Sequence, residues 1–318
     1  MLHLRIYAAA DATDAAQKLL SADPAVSGLA VLRGASIVPP GDVLLADVAR
    51  EAANDVIDRL RELGVHHGGT IHIEPVGTWI SRSGFAAERL APGSSADSVV
   101  WAEVIQHSYD DSELNWTYLS FMTLATLLAG IAIVLDSQVL VIGAMILGPD
   151  FGPVAALGVA LVRRRWTLFR LAVRTLVLGF AAAIAVTTVA AFAARGLGWI
   201  TETDITRPRP GTGFIYTPDK WSFIVALIAA AAGALSLTSA KAGGLSGVFI
   251  SVTTVPAAGN IALALALGDQ HELWGSTLQL IVNLTGMALA GWATLTLQKH
   301  IWTRISIRRT REPPSPHE

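Results

Sequence analysis

The chain of 318 residues contains no cysteine. Disulfides, thiolate metal centres and cysteine nucleophiles are therefore excluded, although the compartment stays open. Charge is also scarce. Asp, Glu, Lys and Arg make up 15% of the residues, against about 25% in an ordinary soluble domain. The net charge of −2, without basic aromatic-interleaved stretches, argues against a nucleic-acid partner. The sequence also lacks a phosphate-cradling glycine loop, a nucleophile–base pairing and a metal-ligand spacing. No enzyme, cofactor or metal is expected. His66, His67 and His72 have no accompanying carboxylate motif that would make them ligands.

Apolar residues are abundant, at 52%. They gather in six long runs, roughly 116–135, 139–162, 168–194, 221–240, 245–267 and 273–297. About 20 apolar residues suffice to cross a hydrocarbon core of about 30 Å. The expected class is a polytopic α-helical membrane protein whose partner is the lipid bilayer. Trp116, Trp166, Trp199, Trp221, Trp274 and Trp302 fall near the ends of these runs, where amphipathic rings favour the headgroup zone. Trp292 lies inside the last run and is expected at a helix contact.

Arg163, Arg164, Arg165, Arg170 and Arg174 lie between runs two and three, and Lys299, Arg304, Arg308, Arg309 and Arg311 follow run six. The positive-inside rule then puts both chain ends in the cytoplasm of a multi-pass inner (cytoplasmic) membrane protein. The start, Met1 to Tyr7, alternates Leu2, Leu4 and Ile6 with His3, Arg5 and Tyr7. That is the period of a half-buried strand and not the pattern of a signal peptide.

Four parts follow: a soluble α+β domain over 1–78, a linker with an amphipathic helix over 79–114, six transmembrane helices over 115–298, and a basic tail over 299–318. In the soluble part, strands at 1–7, 26–32, 42–48 and 70–76 alternate with helices at 11–20 and 52–63. Asp11 or Thr13 is the expected cap of the first helix. The βαββαβ order suggests a ferredoxin-like sandwich. Its outer sheet face would carry His3, Arg5, Tyr7, His72 and Glu74, either as a solvated surface or as a site for a small cytosolic ligand or a neighbouring subunit.

Two runs are broken. Run two reads Gly148-Pro149-Asp150-Phe151-Gly152-Pro153, and run five offers Thr253-Thr254, Pro256 and Asn260. Proline removes a backbone donor, and the freed groups need protein or a water-filled cavity to satisfy them. An ionisable residue such as Asp150 within a span points to function. Run four ends at Lys241, and run six carries Gln279, Asn283 and Thr285. Lys241 and Asn283 complete the candidate pathway. The same small, polar residues also serve as plain glue between helices. At an offset of 104, Gly143 meets Gly247, Ile146 meets Ile250, Ala160 meets Ala264 and Leu176 meets Leu280. Three crossings per half would make such a repeat inverted.

The stretches 142–153, 232–241 and 282–284 resemble the domain-of-unknown-function 389 family of prokaryotic integral membrane proteins. Gly148 and Asp150 depart from the family's usual Ser-Pro at the break, and the resemblance implies no activity. The residues themselves favour a transporter or channel for a small solute or ion. The rival is a non-transporting scaffold or sensor whose head recruits partners. Small-residue-rich spans suggest a homo-oligomer in either case.

Overall fold

The computed structural model describes residues 1–91, 98–216, 220–238 and 254–309, with the backbone alone for 205, 222 and 302–309. The chain forms two compact units, one built chiefly from Met1–Val104 and one chiefly from Ile105–Leu237 and Ala242–Gln298.

The first unit runs β1 (Leu2–Ala8), α1 (Ala10–Ser21), β2 (Val26–Ser36), β3 (Gly41–Val48), α2 (Ala53–Glu62), the single turn α3 (Val65–Gly68) and β4 (Thr70–Pro75). The strands form an antiparallel sheet in the order β2-β3-β1-β4. Alternation along β1 sends Leu2, Leu4, Ile6 and Ala8 inward and leaves His3, Arg5 and Tyr7 half-buried. Leu4, Ile6, Leu44, Ala46 and Val48 pack against Ala16 and Leu20 of α1 and Val56 and Leu60 of α2. Each large aliphatic side chain buried there contributes roughly 1.5–3 kcal/mol.

Two local expectations change. Helix α1 starts at Ala10, so Ala9 is its N-cap, and neither Asp11 nor Thr13 caps it. The Thr13 hydroxyl instead donates to the Ala9 carbonyl at 3.2 Å. The linker holds a helix beyond the one expected in it, α4 (Arg82–Leu90), which the Ser81 hydroxyl caps by accepting from the Gly84 amide at 3.0 Å. The expected amphipathic helix of the linker is α5 (Trp101–Asp111). Asn54 starts it, donating to the Val99 carbonyl at 2.6 Å and accepting from the Trp101 amide at 3.0 Å.

The second unit contains α6 (Trp116–Val134), α7 (Gln138–Leu147), α8 (Phe151–Arg163), α9 (Trp166–Gly196), α10 (Glu202–Thr206), α11 (Lys220–Thr238), α12 (Val255–Leu267) and α13 (Gln270–Arg309). Asn115 and Ser137 cap α6 and α7 through their side chains. Among the described residues, α6, α9 and α13 are long and apolar enough to cross a membrane. Helices α7 and α8 would make a fourth span if their 55° bend lies within one crossing. The apolar parts of α11 and α12 are shorter. Trp116, Trp166, Trp199, Trp221 and Trp274 are all exposed, as ring anchors in a headgroup zone would be. Trp292 makes its helix contact through its backbone, against Gly158, and the residue as a whole is 41% exposed.

The helix boundaries recur at a fixed interval. Helices α6 and α11 begin at 116 and 220, α8 and α12 at 151 and 255, and α9 and α13 at 166 and 270. The turns match too. Arg164 and Gly268 are both left-handed C-caps, and their amides donate to the carbonyls of Ala160 and Ala264. Helix α12 packs between α6 and α9. A Cβ at Gly259 would lie 2.8 Å from the Ala129 Cβ, so small residues set this approach.

Candidate functional site at the helix breaks

Helix α7 stops because Gly148 turns extended and Pro149 follows it. Helix α8 restarts at Phe151 and carries Gly152 and Pro153 in its first turn, where a proline's missing N–H costs least. Asp150 stands at the bend as the N-cap residue and is fully buried. The Thr254 hydroxyl donates to the Asp150 carboxylate. Thr254 is itself the N-cap of α12, whose first turn contains Pro256. The starts of α8 and α12 therefore meet through a buried hydrogen bond inside the unit.

Around this contact, Tyr118 is buried against Gly179 and within electrostatic reach of Asp150. Gly152 packs on Asp111, leaving 2.6 Å between the Asp111 Cβ and the place a Cβ would take. Burial holds the Asp111 carboxyl above the usual carboxylate range, although His107 pulls it down and Asp110 adds to the rise.

Asn260, half-way along α12, belongs to a second buried cluster. The guanidinium of Arg209 donates to the Glu272 carboxylate and, at 3.4 Å, to the Asn260 carbonyl oxygen. The Asn260 amide donates to Glu272 at 3.1 Å and to the Ser276 hydroxyl at 2.8 Å. Arg209 also sits 5.1 Å above the Tyr216 ring. The loop carrying Arg209 is tied to Asp136, which accepts from Thr212 at 2.8 Å and Gly211 at 3.3 Å. Burial pushes the Asp136 carboxyl up, but those bonds and the Arg209 charge outweigh it and hold it below the usual range.

Of the pathway candidates, Gly148, Pro149, Asp150, Gly152 and Pro153 lie at the α7–α8 bend, Thr254 and Pro256 at the start of α12, Asn260 joins the second cluster, and Asn283 is buried in α13. Lys241 and Thr253 lie outside the described residues. Arg209 and Glu272 were missed, because charges beside a helix end read as solvated loop. The available signal was the spacing of Glu272, Ser276, Gln279 and Asn283, which fall on one helix face.

In the first unit, His3, Arg5 and Tyr7 of β1 stand beside Glu74, His72 and Thr70 of β4. Arg5 pairs with Glu74 at 2.8 Å, His3 with Asp47 at 2.8 Å, and the Tyr7 and His72 rings meet edge-on at 5.6 Å. This is a self-paired polar face. Rings of His66 and His67 stack at 4.1 Å. No group of three or more metal-ligating side chains occurs among the described residues.

Apolar helices with a buried polar bend define a membrane-associated helical protein with a small α+β unit. Residues 145–289 match the family described as Domain of unknown function (DUF389). The chain is 24% identical over 239 residues to Uncharacterized protein MJ0678 of Methanocaldococcus jannaschii, a match that covers 74% of this chain and 69% of the relative. No solved structure matches it.

Proposed function

We propose that the protein is a transporter or channel of the cytoplasmic membrane, passing a small solute or ion through the two helix breaks. The observation that carries this reading is the Thr254–Asp150 hydrogen bond. It joins the starts of α8 and α12 at a buried carboxylate, and discontinuous helices meeting near a midplane are the usual frame of a substrate site in secondary transporters. The fixed interval between α6, α8, α9 and α11, α12, α13 favours two inverted halves of three crossings each. Six crossings in turn keep both chain ends cytoplasmic, in line with the arginines of 163–174. The first unit, read as a ferredoxin-like sandwich from its strand order, would sense a small cytosolic ligand on the face of His3, Arg5, Tyr7, His72 and Glu74.

A second reading draws on the complete burial of Asp150, Thr254 and Asn260. Breaks packed this closely also suit a homo-oligomeric scaffold or sensor that moves nothing. The cysteine-free sequence permits a direct test. Single cysteines at Gly148, Pro149 or Thr254 are exposed to a membrane-impermeant thiol reagent, with Trp199→Cys as the labelled control. Modification from one side of the membrane supports transport. Protection at all three positions, with the control labelled, supports the scaffold.

A further inference from the structure

Glu272, Ser276, Gln279 and Asn283 follow one another on α13 at intervals of four, three and four, so they line one helix face. All four are buried. Asn260 on α12 bonds the first two. Asn260, before the left-handed turn at Gly268, bonds Glu272 and Ser276 after it, as two helices folded back on each other would. At a rise of 1.5 Å per residue, Thr254 lies about 9 Å from the level of Asn260, and Asn283 about 10 Å from that of Ser276, in the same direction. The stripe therefore leads from the Arg209–Glu272 pair to the level of the Asp150–Thr254 contact.

Between those two bonded groups stands Gln279, 1% exposed. Neither its Oε1 nor its Nε2 finds a partner among the described residues. Burying an amide without a partner is costly, and ordered water is the ordinary remedy at a polar buried site. Beyond Asp150, Asp111 packs on Gly152 and is exposed at its other edge.

We propose that this stripe is a proton route, in which water held by Gln279 links Glu272 to Asp150 and Asp111 exchanges the proton with solvent. The inference rests on the transport reading above and names its ion. A proton taken up at one end is matched by one released at the other, so each carboxyl returns to its starting state and one positive charge moves. Glu272 faces Arg209, whose loop Asp136 anchors. Asp150 faces Thr254 and Tyr118, and Asp111 faces His107 and Asp110.

The test uses the full chain in vesicles loaded with a pH-sensitive dye, with an outward potassium gradient and valinomycin to drive and balance the charge. Wild-type protein should acidify the interior faster than protein-free vesicles do. Gln279→Leu should reduce the rate to that of empty vesicles, and Asp111→Asn should slow it. Gln279→Glu, which still binds water, should retain flux and so separate a lost route from a lost fold. Thr277→Ala removes a hydroxyl that bonds only its own helix, at the Leu273 carbonyl, and should change nothing. A wild-type rate equal to that of empty vesicles, or an unchanged rate in Gln279→Leu, overturns the route. Cysteine labelling at the breaks is read separately. A protein that admits the reagent there yet moves no proton loses this inference and keeps the transport reading.

Discussion

Thr254 donates its hydroxyl to Asp150 across 104 residues of sequence, the same interval that separates α6 from α11, α8 from α12 and α9 from α13. Each residue is the N-cap of its own short helix. Two equivalent positions that touch each other lie where a two-fold relation between the halves would put its axis. In the transport reading, a site there would be assembled from both halves and would change whenever one moved against the other. That is why the contact, more than the general apolarity of the helices, bears on function.

Asp150→Asn keeps an oxygen for the Thr254 hydroxyl and should leave the purified protein folded, with little change in melting temperature. Asp150→Leu strands that hydroxyl in a buried place and should cost about 1–3 kcal/mol, read as a lower melting temperature in detergent. Transport, whatever its solute, should fall in both variants. Equal stability of the two would show that the hydrogen bond contributes little.

Arg209 and Glu272 are both buried and paired. Removing one partner leaves a charge without compensation, so Arg209→Met and Glu272→Leu should each destabilise by about 3–5 kcal/mol. The double replacement should lie nearer the wild type than either single change. A thermal-shift double-mutant cycle checks this, and strictly additive losses would contradict the pairing.

Gly259 allows α12 to reach the Ala129–Gly130 backbone of α6. Gly259→Val should force the helices apart at a cost of about 1–3 kcal/mol, seen as aggregation or a broadened elution profile. Gly196→Ala places its methyl group in open space and should behave as wild type.

In the first unit, Asp42 is held below the usual carboxylate range by the amide of Gly34, then by the Thr13 hydroxyl, against a smaller opposing effect of burial. A lowered folded value stabilises the fold above the unfolded pKa of about 3.9, and the contribution is lost as pH falls through the folded value. Acid unfolding followed by circular dichroism should therefore shift to higher pH in the wild type than a strand-stability ranking alone suggests, and Asp42→Asn should remove that pH-dependent part. An identical acid transition in both proteins would remove Asp42 from the cause.

Much of the architecture was legible because period and composition are local signals. The alternation of Leu2, Leu4 and Ile6 gave β1, and the Pro149–Pro153 stretch gave the bend. The pairing of Asp150 with Thr254 was legible only as an interval, since nothing in one chain says that two helix starts face each other. Arg209 was hidden for a different reason. A loop arginine between two prolines carries no apolar pattern, and its burial depends on Asp136, Asn260 and Glu272 arriving from three other elements. Helix α4 was overlooked because its start depends on one serine hydroxyl, at Ser81, and its buried face is short.

The most direct measurement is a single-particle map of the full chain in lipid nanodiscs, sorted for alternative conformations. The transport reading predicts at least one class with a hydrated cleft reaching the Asp150–Thr254 contact from one membrane face. Breaks sealed in every class, with the same residues packed into a subunit contact and no aqueous route to Asp150, would contradict it.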